Sequence, residues 1–589
     1  MVLTPLKPPS LSTLRTPSLM AADLAATRPP PAAASEDLDS PISFNSASPP
    51  GPRVCVIGAG VAGLRAAEVL MKGGARVTVL EGRDRVGGRL AQATLDGHVV
   101  DLGPNWIHGT QDNPIHDLVR STKTPTHTWG SRQLSFTPSG APLPKETTTQ
   151  VTEAMWSLVD TAFAHSNANW ANIPSDMSLL DFIHTNIQNL PPFAPTPDGR
   201  SDAEKRLLVG RMAQLWGGYI GGTTAGQSLR FLWLEECLDG ENLFCAGTYR
   251  KVLDVLTQPV LEGVEEVRFG AVVERVVTRP EGGVGVVTRG GREEVFDHVV
   301  VTAPLGWLKR HSDAFDPPLP QRVQLAIEAL GYGNLEKIYV SFPRAFWDSP
   351  PSPTTDSSTI PAPVPPPSIA TGFPPADIPT TDIPPADKPP TDDLPPHIQG
   401  FTTWLQPAYA TATNPSSHAV EAFNLAALPE GTSHPTLLFY ISGPLSSAWT
   451  TLATQTPTPP TTSSPILHLP AASHPLLPCL QPYLTRLPHY DATNPDHQPR
   501  SILSTHWAKD ELAGEGSYTN FPVGVKDADG DIRALREGCP ERGVWFAGEH
   551  TAPFVAVGTV TGAWWAGGGV GTRLLEMWEK EGGARKERE

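Results

Sequence analysis

Two stretches of this chain carry chemistry in their residue types and spacing. The first is Val54-Cys-Val-Ile-Gly58-Ala-Gly60-Val-Ala-Gly63, followed by Glu81-Gly-Arg83-Asp-Arg-Val-Gly-Gly-Arg89. Gly58 allows a tight turn, Gly60 lets backbone approach a pyrophosphate, and Gly63 lets the next helix pack close to a sheet. The N-terminus of that helix points N–H groups and partial positive charge at phosphates. Glu81 stands where an acid hydrogen-bonds ribose hydroxyls. Glycine-rich turns also open many ordinary βα units, but strand, turn, helix, strand and acid in register predict a dinucleotide site. The arginine-flanked pair Gly87-Gly88 tips the choice toward FAD. The second stretch is Lys337-Ile-Tyr-Val-Ser-Phe342, where a lysine interrupts an otherwise apolar strand. A buried lysine needs a partner or a depressed pKa; the alternative is a lysine that reaches solvent from a strand edge.

Several elements must position these residues. Arg53–Ile57 is a β-branched run suited to a buried parallel strand. Val61–Lys72 is the helix, ended by Gly73-Gly74, and Arg76–Leu80 is the next strand. Residues 152–164 and 205–214 read as helices. Residues 264–277, Val284–Thr288, residues 297–302 and 337–342, and Thr436–Ser442 read as strands. Residues 543–547 form a strand that opens a second glycine turn, Gly548-Glu549-His550, before a helix over residues 558–578. Three low-complexity stretches interrupt the pattern: a disordered leader over residues 1–52, residues 349–396, and a shorter stretch over 455–475. Proline at such density blocks helix and sheet pairing, which predicts extended, solvated surface insertions.

Composition excludes several classes. The 44 basic and 61 acidic residues give a formal charge of −17, and no basic run is long enough to suggest nucleic-acid binding. An acidic surface attracts cationic small molecules, although solubility explains it equally well. The five scattered cysteines are odd in number and lack a C-x-x-C pair, which argues against a disulfide framework or a metal site and fits a reducing compartment. No apolar run approaches the about 18 residues that span a membrane. An intracellular, cytoplasmic location is expected. Lys7 and Arg15 ahead of Asp23 leave import into an organelle open, although the leader is too rich in proline for a convincing amphipathic helix.

With these residues in view, the chain resembles the flavin-containing amine oxidases, most closely the polyamine oxidases and particularly fungal ones. Five blocks carry the resemblance: the Gly58 turn with Glu81 to Arg89; Asp101-Leu-Gly-Pro-Asn105-Trp106-Ile-His108-Gly109; Val300-Val-Thr-Ala-Pro-Leu-Gly306; Leu330-Gly-Tyr-Gly-Asn-Leu-Glu-Lys337-Ile-Tyr339; and Phe546-Ala-Gly-Glu549-His-Thr551 with Gly558-Thr559-Val-Thr-Gly562. It implies an α/β fold with a Rossmann-like FAD-binding lobe (the GR2-type flavin amine oxidase fold) and an interleaved α+β substrate-binding lobe. On that basis the FAD-binding lobe takes residues 53–110, 236–330 and 536–578. The substrate lobe takes 111–235, 331–348 and 397–535, and 579–589 is a charged tail.

The resemblance also implies roles. Gly58, Gly60, Gly63, Glu81, Arg83, Arg89, Asn105, Trp106, Val273, Glu549 and Thr559 are expected around FAD. Arg89 falls near the pyrophosphate, Val273 is a backbone contact to adenine, and Glu549 lies at the start of the last helix, where it is equally suited to be a helix N-cap. The catalytic set is Lys337, His108 and Tyr518. The matching lysine of the family holds a water against the flavin. His108, when neutral, can accept a hydrogen bond from a substrate amine; a purely structural histidine is the alternative. Tyr518 is one aromatic wall of the reactive face, and its ring face favours a cationic amine.

Some positions depart from the family. Thr559 and Thr561 stand where some relatives carry a tyrosine and a histidine, so the second aromatic wall is in doubt. Trp507 and Phe521 are candidates to supply surface, or else core. Ser517 replaces the cysteine through which monoamine oxidases attach FAD, implying a non-covalent cofactor. No long heptad-bearing insertion matches the helical tower of histone demethylases. Glu235 and Glu236 are candidates for remote substrate ammonium groups, or are solvated surface residues. The reaction implied is oxidation of a secondary amine of spermine, spermidine or their acetylated forms, with dioxygen as acceptor and no metal. The rivals are an amine oxidase of the same fold acting on aryl monoamines, amino acids or methyl-lysine, and a flavin-retaining binding protein without turnover.

Overall fold

The computed structural model describes residue 23 and residues 51–130, 132–348, 398–455 and 465–586. Its first sheet is wholly parallel, in the order Val544–Phe546, His298–Val301, Arg53–Ile57, Arg76–Leu80, Glu266–Arg268. These strands come from the beginning, middle and end of the chain. The three inner strands are rich in Val, Ile and Leu because both faces are covered, whereas Glu266–Arg268 at the edge is partly exposed. The helix Val61–Lys72 packs on this sheet, and Val560–Lys586 lies across that helix.

Contact between these elements is backbone to backbone. A Cβ on Gly63 would meet Gly58 O at 1.9 Å, and a Cβ on Gly567 would meet Ala62 O at 2.1 Å. Gly58 itself sits at φ +103°, which only glycine adopts cheaply. The last helix runs to Lys586 rather than stopping near residue 578, and it does so through the pair Gly582-Gly583. Its N-terminus is capped by Thr559, whose Oγ1 accepts from Gly562 N at 2.9 Å.

The expected strand over 264–277 is two strands. Glu266–Arg268 completes the parallel sheet, whereas Val273–Thr278 joins a second, four-stranded sheet with Val284–Thr288, Glu293–Phe296 and Phe315–Asp316. Gly270, at φ +67°, turns the chain from one sheet to the other.

A seven-stranded sheet runs Ile466–Pro470, Ser501–Thr505, Leu335–Ser341, Thr436–Ser442, Val420–Asn424, Phe401–Trp404, Gln133–Phe136. Side chains alternate across it. Ile338, Val340, Phe439 and Ala422 pack with Trp449, Leu480 and Tyr483 in one core, while Leu335, Lys337, Tyr440, Ser442, Glu421 and Phe423 face a cavity. A separate helical cluster over Lys145–Asn169, Leu179–Asn186 and Asp202–Met212 holds its own core around Val159, Leu208 and Trp216. Two of these helices open on capping boxes, Ser178 with Asp181 and Ser201 with Glu204.

Two low-complexity expectations need correction. The described part of 455–475 includes the edge strand Ile466–Pro470, whose Leu467 is buried. Alternation there suits a sheet edge, and the proline falls at the strand's last position. Within the leader, Asp23 is helical and buried. Its carboxylate accepts from Arg536 Nη1 at 2.6 Å and from Phe554 N at 3.0 Å, so at least this residue is tied down. The rest of residues 1–50 and the insertion at 349–396 lie outside the described residues. Among the described residues, no helix is long and apolar enough to cross a membrane.

Gly567→Val should be an over-packing defect. The expected loss is about 2 kcal/mol or more, read as a lowered thermal midpoint, with Gly568→Ala as the tolerated neighbour because a Cβ there meets only the Arg65 side chain at 3.5 Å.

Candidate active site

A cavity of about 560 Å³ joins the glycine turn of the parallel sheet to the polar face of the seven-stranded sheet. Gly58, Gly60, Glu81, Arg83, Arg89, Val273, Glu549 and Thr559 all line it, as do Asn105, Trp106, His108, Lys337 and Tyr518. Gly63 is not part of the lining; its place is the close helix–turn contact.

The glycine turn is built to receive an anion. The helix Val61–Lys72 has no side-chain cap and no acid in its first turn, which leaves N–H groups toward the cavity. A Cβ on Gly60 would have only Gly87 O nearby, at 3.9 Å, so space lies in front of that backbone. Glu81 accepts from Ala59 N at 2.7 Å and Arg83 N at 2.8 Å, which fixes the loop. Arg83 lines the cavity, but its guanidinium is bound to Asp510 at 2.8 and 2.9 Å, both side chains being buried.

Arg89 reaches across to the far end of the chain. It donates to Glu549 Oε1 at 2.9 Å and to Ser517 O at 2.7 Å, while Glu549 Oε2 accepts from Thr519 N at 3.3 Å. Glu549 belongs to the short turn Glu549–Thr551, well ahead of the helix, and therefore caps nothing there. Its carboxylate is turned to Arg89, and Thr559 is the cap. Val273 opens the strand Val273–Thr278 and pairs with Thr288. Ser517 both donates to Leu335 O and accepts from Leu335 N. Its hydroxyl thus zips two segments together.

Lys337 is buried, so the solvent-reaching alternative is excluded. Its backbone N donates to Thr505 Oγ1 at 2.8 Å, and its Nζ donates to the carbonyls of Asp101 (3.3 Å) and Gly103. The Nζ also stands 5.7 Å from the centre of the Tyr440 ring. Burial lowers its pKa well below the ordinary lysine value, opposed by the nearby Asp101 carboxylate. Burial raises Asp101 in turn, although its carboxylate accepts from Gln92 and Tyr249 N. Asn105 and Trp106 converge on one hydroxyl: Tyr440 donates to Asn105 Oδ1 at 2.8 Å and accepts from Trp106 Nε1 at 3.2 Å.

The His108 ring is lowered by burial to about 4, so it is neutral near pH 7. Tyr518 donates to Tyr219 O at 3.0 Å, which fixes its ring in the cavity wall. Trp507 also lines the cavity and donates to Leu102 O, whereas Phe521 is core. Thr561 is engaged with Asn113 and is not part of the lining.

Glu235 and Glu236 line the same cavity and are not solvated surface residues. Burial raises Glu235 to about 8 and Glu236 to about 7, and Glu235 Oε1 has no hydrogen-bond partner. The sequence reading missed Glu421 and Tyr440. The alternation in Val420–Asn424 was the available signal for Glu421: an acid between Val420 and Ala422, on the face opposite theirs.

The profile of the flavin-containing amine oxidoreductases matches residues 61–394 and 481–573. The chain belongs to this family. The glycine cradle fits the flavin cofactor that the family implies. It is 31% identical over 310 residues to Probable polyamine oxidase 4 of Arabidopsis thaliana, covering 50% of this chain and 59% of that protein. It is 30% identical over 306 residues to Lysine-specific histone demethylase 1 homolog 3 of Oryza sativa subsp. japonica, covering 50% and 36%. It is 29% identical over 308 residues to Polyamine oxidase 2 of Arabidopsis thaliana, covering 50% and 60%. The chain therefore spans between about a third and three fifths of these relatives' lengths.

The raised acids give a pH signature. The native state holds the Glu235 proton that the unfolded chain releases in the ordinary carboxylate range, so this contribution to stability is full at low pH and lost as pH rises through about 8. Glu235→Gln should match the wild type in thermal melts at pH 4. At pH 9 it should be the more stable by about 1–3 kcal/mol, allowing for water in the cavity.

Proposed function

We propose that this chain is an FAD-dependent polyamine oxidase that attacks a secondary nitrogen of spermine, spermidine or their acetylated forms. The overall change is amine, dioxygen and water to aldehyde, shorter amine and hydrogen peroxide. The observation that carries the reading is the meeting, in one cavity, of an anion-ready glycine turn, a buried lysine with a lowered pKa and raised, cation-seeking carboxyls. Two of its relatives bear the name polyamine oxidase, which supports it.

FAD, when bound at the glycine turn, supplies the two-electron oxidation of the carbon–nitrogen bond and passes the electrons to dioxygen. The cradle would consist of Gly58, Gly60, Glu81 and Val273 at the adenosine side, with Arg89, Glu549 and Thr559 across the pyrophosphate. Ser517, in place of a cysteine, leaves the cofactor non-covalent. Tyr518 and Trp106 present aromatic surface to the substrate and keep water out. His108, being neutral, accepts a hydrogen bond from the amine without repelling it. A neutral Lys337 has two N–H bonds on the carbonyls of Asp101 and Gly103. Its lone pair remains for a proton from water or from the substrate nitrogen.

Similar identity to histone demethylase homologues favours one second reading, oxidation of a methylated lysine side chain. Anaerobic mixing with spermine, spermidine, N-acetylspermine, benzylamine and a methyl-lysine peptide separates the two. Bleaching of the flavin by the polyamines is expected. Bleaching by the peptide alone would move the assignment to the second reading, and bleaching by none would leave a binding protein.

Lys337→Met should keep the flavin spectrum and slow flavin reduction by about 10²–10⁴-fold. Reduction at the wild-type rate would make Lys337 structural.

A further inference from the structure

Among the described residues, Glu421 is the one cavity acid whose position relative to Lys337 is set by strand register. On neighbouring strands Glu421 pairs directly with Tyr440, and Tyr440 pairs directly with Lys337. Directly paired residues in a sheet share a face, and all three line the cavity. Two strand spacings separate Glu421 from Lys337, about 10 Å at the backbone.

The neighbours of Glu421 are already engaged. Thr403, its partner on the other side, is hydrogen-bonded to Ser135 Oγ at 2.8 Å and to Gln133. The Tyr440 hydroxyl is held by Asn105 and Trp106. Lys337, the nearest cation of the row, is held by the carbonyls of Asp101 and Gly103. Among the described residues no hydrogen bond or ion pair satisfies the Glu421 carboxyl itself. Burial raises it to about 7. Burial, and next the Glu421 charge, raise the Tyr219 phenol, while the ring that register sets directly beside the acid is Tyr440. Tyr219 packs edge-on with Trp156, at 5.9 Å between centroids, and both rings line the cavity. An acid beside aromatic faces, with no cation of its own, is the environment that an alkylammonium group satisfies.

We infer that Glu421 anchors a second, remote ammonium group of the substrate, and so selects amines carrying two or more basic nitrogens. This rests on the amine-oxidase reading above. A monoamine seated beside Lys337 is too short to reach two strands away and leaves Glu421 without a partner. An oligoamine lying along the row Lys337–Tyr440–Glu421 touches both ends. The anchor acts on binding and touches no reacting atom, so it belongs in the half-saturating concentration and not in the limiting rate.

The test is anaerobic stopped-flow reduction of the flavin-loaded enzyme by spermine, in wild type, Glu421→Gln and Glu421→Asp. Glu421→Gln should raise the half-saturating spermine concentration by about 10- to 100-fold and leave the limiting rate within about twofold. Glu421→Asp, which keeps the charge on a shorter stem, should fall between the two. An unchanged half-saturating concentration, or a limiting rate that falls as far as the affinity, would overturn the anchor. Melting temperature and flavin absorbance identify a folded variant, and if Glu421→Gln fails to fold, Glu421→Asp against wild type is read in the same way. If spermine does not bleach the wild type, the polyamine reading fails by itself. The anchor is then read from the perturbation of the flavin spectrum at equilibrium, where loss of spermine binding in Glu421→Gln supports it. Equal binding, or none in the wild type, overturns it.

Discussion

An ammonium group cannot sit unaccompanied inside an apolar strand, and the site is arranged around that constraint at Lys337. Removing an ion from water costs several kcal/mol even after relaxation. Here two backbone carbonyls, of Asp101 and Gly103, are drawn up to the Nζ. Those carbonyls belong to the end of the strand His98–Asp101 and to the segment that follows it, and this stretch is itself fixed. Tyr339 donates to Asp101 O at 2.6 Å, Trp507 donates to Leu102 O, and the Asp101 carboxylate holds Tyr249 N. One side chain thereby ties the seven-stranded sheet to the segment leading from the glycine turn. The group that suffers from burial is also the group that becomes chemically useful, because its proton is held weakly.

The second tie is the pair Arg89–Glu549. A buried ion pair is weak evidence for stability as such, since desolvation offsets most of the attraction. Its value here is geometric. It fixes the turn after the strand Val544–Phe546 against the glycine pair after Arg76–Leu80, and Ser517 O and Thr519 N join the same network. The strand Tyr518–Asn520, which presents Tyr518 to the cavity, is held by it. The cofactor cradle and the substrate wall are thus coupled through a few hydrogen bonds.

The legibility of the sequence follows the range of the forces involved. Arg53–Ile57, Val61–Lys72, Arg76–Leu80, Val284–Thr288 and Thr436–Ser442 have the bounds that local pattern predicts, because β-branched runs and glycine stops act within a few residues. The split at Gly270 was not legible: residues 264–277 read as one strand, and only the two competing sheets separate them. The strand Ile466–Pro470 was masked by the proline-rich composition around it. Glu549 was expected at the helix it precedes, yet its partner is Arg89, a long-range choice that spacing does not reveal.

By itself the sequence determined the glycine turn with its acid, and Lys337 as a charged exception in an apolar strand, with its burial left open. Both follow from short-range rules: where only glycine fits, and where a charge breaks an apolar alternation. Tertiary structure alone decided which carbonyls accept the lysine, that Glu235, Glu236 and Glu421 share its cavity, and that Tyr440 stands between Glu421 and Lys337. Strand order is the physical reason. Residues 337, 421 and 440 become neighbours only when Leu335–Ser341, Thr436–Ser442 and Val420–Asn424 pair in register, and register is a property of the folded sheet rather than of any one segment.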